Sequence, residues 1–294
     1  MKKLLLFLLI ANSSISRAQI NPDRINIARD SFGVPHIFAP TDPEVAYGIA
    51  WAHAEDDFET LQMVVLSGKA KLGTGLGRKG AEADYVIQLL RCRQTVDEQW
   101  HTLSPDFLEL IKEYVAGLNA YAKANPSKGK YKKAFPFNEK EYMTAVVFSV
   151  SLFCGVDAIL PQILGGKVAT LPGFNTDGSN AFAMNSVKTT TGESFLAINA
   201  HQPNTGPVAF YEAHLQSEQG WNMLGGLFPG GCLIFHGTNE NLGWAHTVNY
   251  QDKIDLFQLK MNPANKNQYE FDGQWITLEE NKARLKVKGI PIRI

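Results

Sequence analysis

The chain has 294 residues, 45% of them hydrophobic and 19% charged, and its 28 basic and 29 acidic side chains leave a net charge of −1. That balance gives no basic footprint for a nucleic-acid partner, and the apolar share suits a globular core rather than a disordered chain. The three cysteines, Cys92, Cys154 and Cys232, are an odd number without metal-site spacing, so at most one disulfide forms and their assignment is to packing.

In chain order, Lys2 and Lys3, the apolar run from Leu4 to Ala11, and Ser16-Arg17-Ala18 carry the three regions of a secretory signal peptide. Residues 1–18 are therefore read as a signal cut after Ala18, with export to the periplasm or beyond. The apolar run is too short to span a bilayer, and no later segment reads as transmembrane, so no membrane attachment is expected once the signal is gone.

Residues 19–164 read as mainly helical. Thr41 and Glu44 make a capping box with Pro43 in the first turn, leading into a helix over 44–66. Ser104-Pro105 opens a second helix, in which Phe107, Leu108, Leu110, Ile111, Tyr114, Val115, Leu118 and Tyr121 recur at helical spacing until Asn125-Pro126. A third runs from about 138 to 154. Such stripes ordinarily face a core, although Leu152 and Phe153 are also candidates for a pocket wall. Residues 165–178 are loop-like in composition.

Segments 180–187 and 194–200 read as β, and Lys188–Glu193 between them carries turn chemistry, with Gly192 free to take positive φ. A hairpin centred near residues 190 and 191 sets position 179 opposite 202, one register step from His201. A Gly-Ser pair ahead of an apolar segment is ordinarily a loop entering a strand, and a lone histidine at a strand end is ordinarily a surface residue; each gains weight from the other. If the bond before Ser179 is cut, its new α-amine, with an ordinary pKa of about 7.7–8.0, can take the proton from its own hydroxyl, as histidine does in a serine triad. Farther on, 228–249 reads strand, turn, strand, reversing at Gly237–Asn241, and Lys286–Ile294 reads as a strand.

Arg29–Ile37 (RDSFGVPHI), Tyr47–Asp56 (YGIAWAHAED), Gly178–Phe182 (GSNAF), Asn199-Ala200-His201 and Gly237–Thr247 (GTNENLGWAHT), in this order, resemble the penicillin acylase family of N-terminal nucleophile hydrolases. The resemblance runs from about residue 24 to the end. It implies an α+β fold, an αββα sandwich of antiparallel sheets between helical layers, incomplete here. It also implies a precursor that cuts itself between Gly178 and Ser179, giving an α/β heterodimer: 19–164 as the N-terminal (alpha) subunit, 165–178 as a spacer, and 179–294 as the start of the catalytic (beta) subunit. Family members run several hundred residues longer, so the chain is read as truncated.

Residue by residue, Ser179 matches the nucleophile. His201 matches the histidine that cephalosporin and acyl-homoserine lactone acylases place beside it, where penicillin G acylases carry glutamine. Val248 matches the residue whose backbone N–H lines the oxyanion hole, and Asn180 the position next to the amine, where an asparagine is equally a turn residue. Asp252 and Asp255 match an acidic pair that holds calcium in penicillin G acylases; two carboxylates do not complete such a site, and they read equally as solvent-facing. The chemistry itself needs no cofactor. The implied substrate is a small N-acyl compound: an acyl-homoserine lactone, a lipopeptide or a β-lactam side chain. Two departures stand out: Glu55-Asp56-Asp57 lacks the family's arginine after the aspartate, and Ala200 replaces a proline. Two other readings remain: a truncated, exported pseudoenzyme, and a conventional serine hydrolase with His201 as base.

Overall fold

A computed structural model describes residues 20–166, 178–249 and 254–289. The signal segment, most of the 165–178 loop and Asp252 lie outside the described residues. The described chain is α+β, as expected. It opens with an antiparallel pair, β1 (Asn26–Arg29) and β2 (Pro35–Ala39), whose turn is closed by Asp30 Oδ1 accepting from the N–H groups of Phe32 and Val34 at 2.8 and 3.0 Å.

Helix α1 (Asp42–Gly68) then begins at the expected capping box: the Thr41 hydroxyl accepts from Glu44 N at 3.3 Å and Glu44 Oε2 accepts from Thr41 N at 3.1 Å. It bends at Asp57 (φ −142°, ψ 63°), whose carboxylate restarts the helix by accepting from Thr60 N. Three helices follow that the sequence reading did not place: α2 (Gly73–Leu76), α3 (Arg78–Leu89) and α4 (Cys92–Gln99). Helices α5 (Pro105–Ala124), capped by Ser104, and α6 (Glu139–Phe153), opened by an Asn138/Glu141 capping box, fall where expected, and α7 (Val156–Leu164) comes after them.

The core lies where α1 is clamped between α5 and a sheet. Strand β2 alternates, burying Pro35, Ile37 and Ala39 while His36 and Phe38 turn the other way. Ile37, Ala213, Leu215 and Leu227 from the sheet meet Val45, Ala46 and Ile49 of α1, and Ile111, Tyr114, Leu118 and Tyr121 of α5 close the far side. Full burial of each large apolar side chain stabilises by about 1.5–3 kcal/mol. Two glycines allow the close approach. A Cβ on Gly48 would come within 2.6 Å of the Ile37 side chain, and one on Gly117 would strike the Tyr47 backbone.

That sheet has six strands in the order β1-β2-β5-β6-β7-β8, adding β5 (Tyr211–Ser217), β6 (Asn222–Leu227), β7 (His236–Thr238) and β8 (Gly243–Trp244). All its pairings are antiparallel except β2 with β5, which run parallel, His36 opposite His214 and Ala39 opposite Ser217. The β7–β8 reversal is the one expected at Gly237–Asn241. Strands β3 (Ser179–Met184) and β4 (Phe195–Ala200) form a separate two-stranded sheet, and β9 (Met261–Asn262), β10 (Asn265–Phe271) and β11 (Gln274–Thr277) a three-stranded one.

One expectation is corrected: residues 286–289, read as the start of a strand, pair with none, and Lys288 N instead donates to Gly73 O at the α2 N-terminus. All three cysteines are free, with burial pushing the Cys92 thiol up to about 11 and Cys232 accepting from the Tyr142 hydroxyl at 3.4 Å. Among the described residues, no helix is long and apolar enough to cross a membrane.

Candidate active site

Strands β3 and β4 form the expected hairpin, with a corrected register. Ser179 lies opposite Ala200, not opposite 202, because a helical turn at Ser186–Lys188 tightens the loop and Thr189 Oγ1 donates to Ser186 O and Glu193 O across it. Gly192 takes φ 77°, as its place in the turn requires. The shift pairs His201 with Gly178: His201 N donates to Gly178 O at 3.3 Å. The imidazole lies over the same residue, its Nδ1 accepting from Gly178 N at 3.4 Å while Nε2 meets the Asn180 side-chain amide at 3.1 Å.

Strand alternation puts Gly178, Asn180 and His201 on one face and Ser179 with Ala200 on the other. The structure thus brings His201 to the Gly178–Ser179 bond and to Asn180, but not to the Ser179 hydroxyl, which makes no hydrogen bond among the described residues. Ser179 meets the Gly237–Thr247 motif instead: Thr247 Oγ1 donates to Ser179 O at 2.6 Å. Val248, the next residue, is exposed.

An aromatic cluster lies beside this segment, and the sequence reading found only one of its members. Phe210 stacks on Phe228 with ring centres 4.5 Å apart, Phe228 meets Phe235 at 5.0 Å and Phe153 at 5.7 Å, and Phe235 meets His246 at 4.7 Å. Phe153 and Phe235 remain partly exposed. His236, at the edge of the cluster, accepts from His246 N through Nδ1 at 2.9 Å. Its pKa is lowered, first by burial and then by the neighbouring His246, so the ring stays a neutral acceptor. Three of these phenylalanines stand in the 210–235 stretch, where the sequence offered only strand propensity.

Asp56, which no arginine follows, is paired with an arginine from another element. Arg29 on β1 donates to Asp56 at 2.8 Å, Glu55 at 3.1 Å and the Gly33 carbonyl at 2.9 Å, and the Tyr211 hydroxyl also donates to Asp56. Burial works against the Arg29 charge, but the two carboxylates outweigh it and hold its pKa above the ordinary value. Beside this network, His53 is buried and stacks flat on Tyr211 at 3.9 Å.

Of the acidic pair matched to calcium, Asp255 is exposed and Asp252 lies outside the described residues. Among the described residues no group of three His, Cys, Asp or Glu side chains could hold a metal. A cleft of about 530 Å³ lined by α3, α4, α6 and residues 279–283 does not include Ser179, and its Lys69, Arg91 and Glu279 are engaged in ion pairs.

With this geometry in view, the penicillin amidase family model matches residues 24–293. The chain is similar to an acyl-homoserine lactone acylase, PvdQ, of Pseudomonas fluorescens, 28% identical over 97% of this chain and 40% of that protein. A PvdQ of Pseudomonas syringae pv. syringae is 27% identical over 90% of this chain and 38% of that protein. An aculeacin-A acylase of Actinoplanes utahensis is 22% identical over 84% and 36%. Among solved structures, a thermostable penicillin G acylase from Alcaligenes faecalis aligns with TM-score 0.39 and 23% identity over 48% of this chain and 79% of that one. The chain spans about 40% of the length of the curated relatives it matches. A match over nearly every residue from β1 onward settles the lineage: the chain belongs to the penicillin amidase family.

Proposed function

We propose that the protein is an exported amidohydrolase that matures by cutting itself before Ser179 and then hydrolyses the amide bond of an N-acyl substrate. In maturation, Ser179 Oγ attacks the Gly178 carbonyl carbon, the hydroxyl proton passes to the Ser179 nitrogen as the peptide bond breaks, and water hydrolyses the resulting ester. This leaves a Gly178 carboxylate and a free α-amine on Ser179. In turnover, that amine takes the hydroxyl proton, Oγ attacks the substrate carbonyl, the amine product leaves with the proton, and water releases the acid from the acyl-enzyme. The Val248 N–H would stabilise the tetrahedral oxyanion; such a donor is typically worth about 2.7–4 kcal/mol. Asn180, next in the chain and met by the His201 imidazole, would orient the α-amine. No step needs a cofactor, and calcium, if bound through Asp252 and Asp255, would be structural.

The observation that carries this reading is the environment of the Gly178–Ser179 bond. The Gly178 carbonyl is already held by the His201 N–H, its imidazole lies over Gly178 N and Asn180, and the Ser179 hydroxyl is left without a side-chain base among the described residues. That arrangement favours the amine over His201 as base. The cluster of Phe153, Phe210, Phe228 and Phe235 favours an apolar acyl group, in keeping with relatives named for acyl-homoserine lactones and aculeacin A.

Mass spectrometry of the protein from its own cells tests the reading. A fragment beginning at Ser179, absent in Ser179→Ala together with hydrolysis of an N-acyl-homoserine lactone, is the expected result. Hydrolysis surviving in the alanine variant overturns the nucleophile, and activity in an uncut chain overturns maturation in favour of a conventional serine hydrolase. An uncut, inactive wild-type chain marks the pseudoenzyme.

A further inference from the structure

We propose that Thr247 is a positioning residue that holds the Ser179 main chain against the segment carrying Val248; the proposal rests on the reading of Ser179 as nucleophile. The hydrogen-bond ladder supplies the argument. His201 N donates to Gly178 O, which makes 178 and 201 a hydrogen-bonded pair and Ser179 and Ala200 the non-bonded pair between rungs. The N–H and C=O of Ser179 therefore point away from β4, toward an edge where, among the described residues, this two-stranded sheet has no further strand. Thr247 stands at that edge. A carbonyl oxygen can only accept, so the Thr247 hydroxyl is the donor, at 2.6 Å.

What Thr247 is attached to matters equally. It lies three residues beyond β8, and β8 is fixed in the six-stranded sheet by its pairing with β7. Gly243 of β8 also seats against the hairpin, since a Cβ there would come within 2.7 Å of Leu196 on β4. Two contacts, one polar and one apolar, thus join the hairpin carrying the nucleophile to the main sheet.

Cutting the Gly178–Ser179 bond removes the covalent restraint on the N-terminal side of Ser179 and leaves a chain end at a sheet edge, where terminal residues fray. The α-amine created there points to the same side as the carbonyl that Thr247 holds. Losing the hydroxyl frees residue 179 to drift from the oxyanion donor, and a misplacement of about 1 Å costs on the order of 100-fold in rate. Thr247 does not need to touch the substrate to have this effect.

The test compares Thr247→Val, which keeps the shape and removes the donor, with Thr247→Ser, which keeps the donor, in the protein as expressed from its gene. Self-cleavage and steady-state hydrolysis of an N-acyl-homoserine lactone are followed, with active sites counted by a serine-acylating burst titrant. For Thr247→Val, kcat per titrated site should fall about 100-fold with KM within about threefold of wild type, and self-cleavage should slow. Thr247→Ser should recover kcat to within about threefold. Equal loss in both variants, or a wild-type kcat per titrated site in Thr247→Val, overturns the proposal. Failure of the parent reading shows separately, as hydrolysis that persists in Ser179→Ala.

Discussion

The backbone N–H of His201 donates to the carbonyl oxygen of Gly178 at 3.3 Å, so the carbonyl at the proposed cut is polarised by the main chain of the opposite strand rather than by a side chain. Replacing His201 by proline removes this donor, whereas glutamine keeps it. Loss of one oxyanion donor costs on the order of 10²–10³ in rate. The expected outcome is self-cleavage slowed within about tenfold in His201→Gln and at least another hundredfold in His201→Pro, read from a denaturing-gel time course. Equal rates in the two variants would remove the donor from the mechanism.

Arg29 joins β1 to α1 through Asp56 and Glu55, and Tyr211 joins the same Asp56 from β5. Arg29→Ala removes the ion-pair partner of two adjacent carboxylates. The side chain is 31% exposed, so the loss is smaller than the several kcal/mol of a fully buried pair, about 1–3 kcal/mol in urea unfolding. Arg29→Lys should recover less than half of it, because one ammonium cannot reproduce the fork. A loss under about 0.5 kcal/mol in Arg29→Ala would show the network to be solvated.

His53 has its pKa pushed down to about 4, first by burial, which Asp57 and Asp56 only partly oppose. The unfolded chain, near 6.5, binds a proton that the folded protein refuses, so stability is intact above about pH 6.5 and falls as the pH drops toward 4. The full effect is on the order of 3 kcal/mol. His53→Phe keeps the ring on Tyr211 and removes the proton site, so its stability should decline less between pH 6.5 and 4 than that of wild type. Parallel pH profiles would contradict this.

Gly117 stands inside α5, where alanine is intrinsically better by about 0.8–1.0 kcal/mol. A Cβ there would strike the Tyr47 backbone, and overpacking a core costs about 1–3 kcal/mol. Steric conflict with main chain, which cannot rotate away, wins: Gly117→Ala should lower the melting temperature, despite the higher helix propensity. A rise would show that α1 and α5 can move apart freely.

Elements with explicit start signals were legible in the sequence: Thr41 with Glu44 and Ser104-Pro105 each opened the helix they announced. Helices α3 and α4 were not, because their buried side chains are few and scattered among charges, and the boundary between them is Arg91 at φ 54° rather than a glycine. Helix α7 carries Pro161, which reads as a break. The hairpin at Ser179 was legible, but its register was not, since turn length depends on the Thr189 hydrogen bonds. Thr247 stood in a recognisable motif, yet its contact with Ser179 spans 68 positions and has no local pattern. The β2–β5 pairing is equally remote, and its parallel sense is invisible before the helices between them are placed.

That pairing carries a last consequence. Strand β2 precedes residue 179 and β5 follows it, and they are parallel neighbours from His36 opposite His214 to Ala39 opposite Ser217. Across the same seam the Nδ1 atoms of His36 and His214 lie 3.0 Å apart, and Asp42 accepts from the Ser217 hydroxyl at 2.5 Å. A chain severed before Ser179 would therefore be stitched through the middle of a sheet, with each fragment supplying strands the other lacks. Maturation would double the number of polypeptides while leaving a single particle, two bands in detergent and one peak in gel filtration, and neither half could be drawn out without unzipping the sheet.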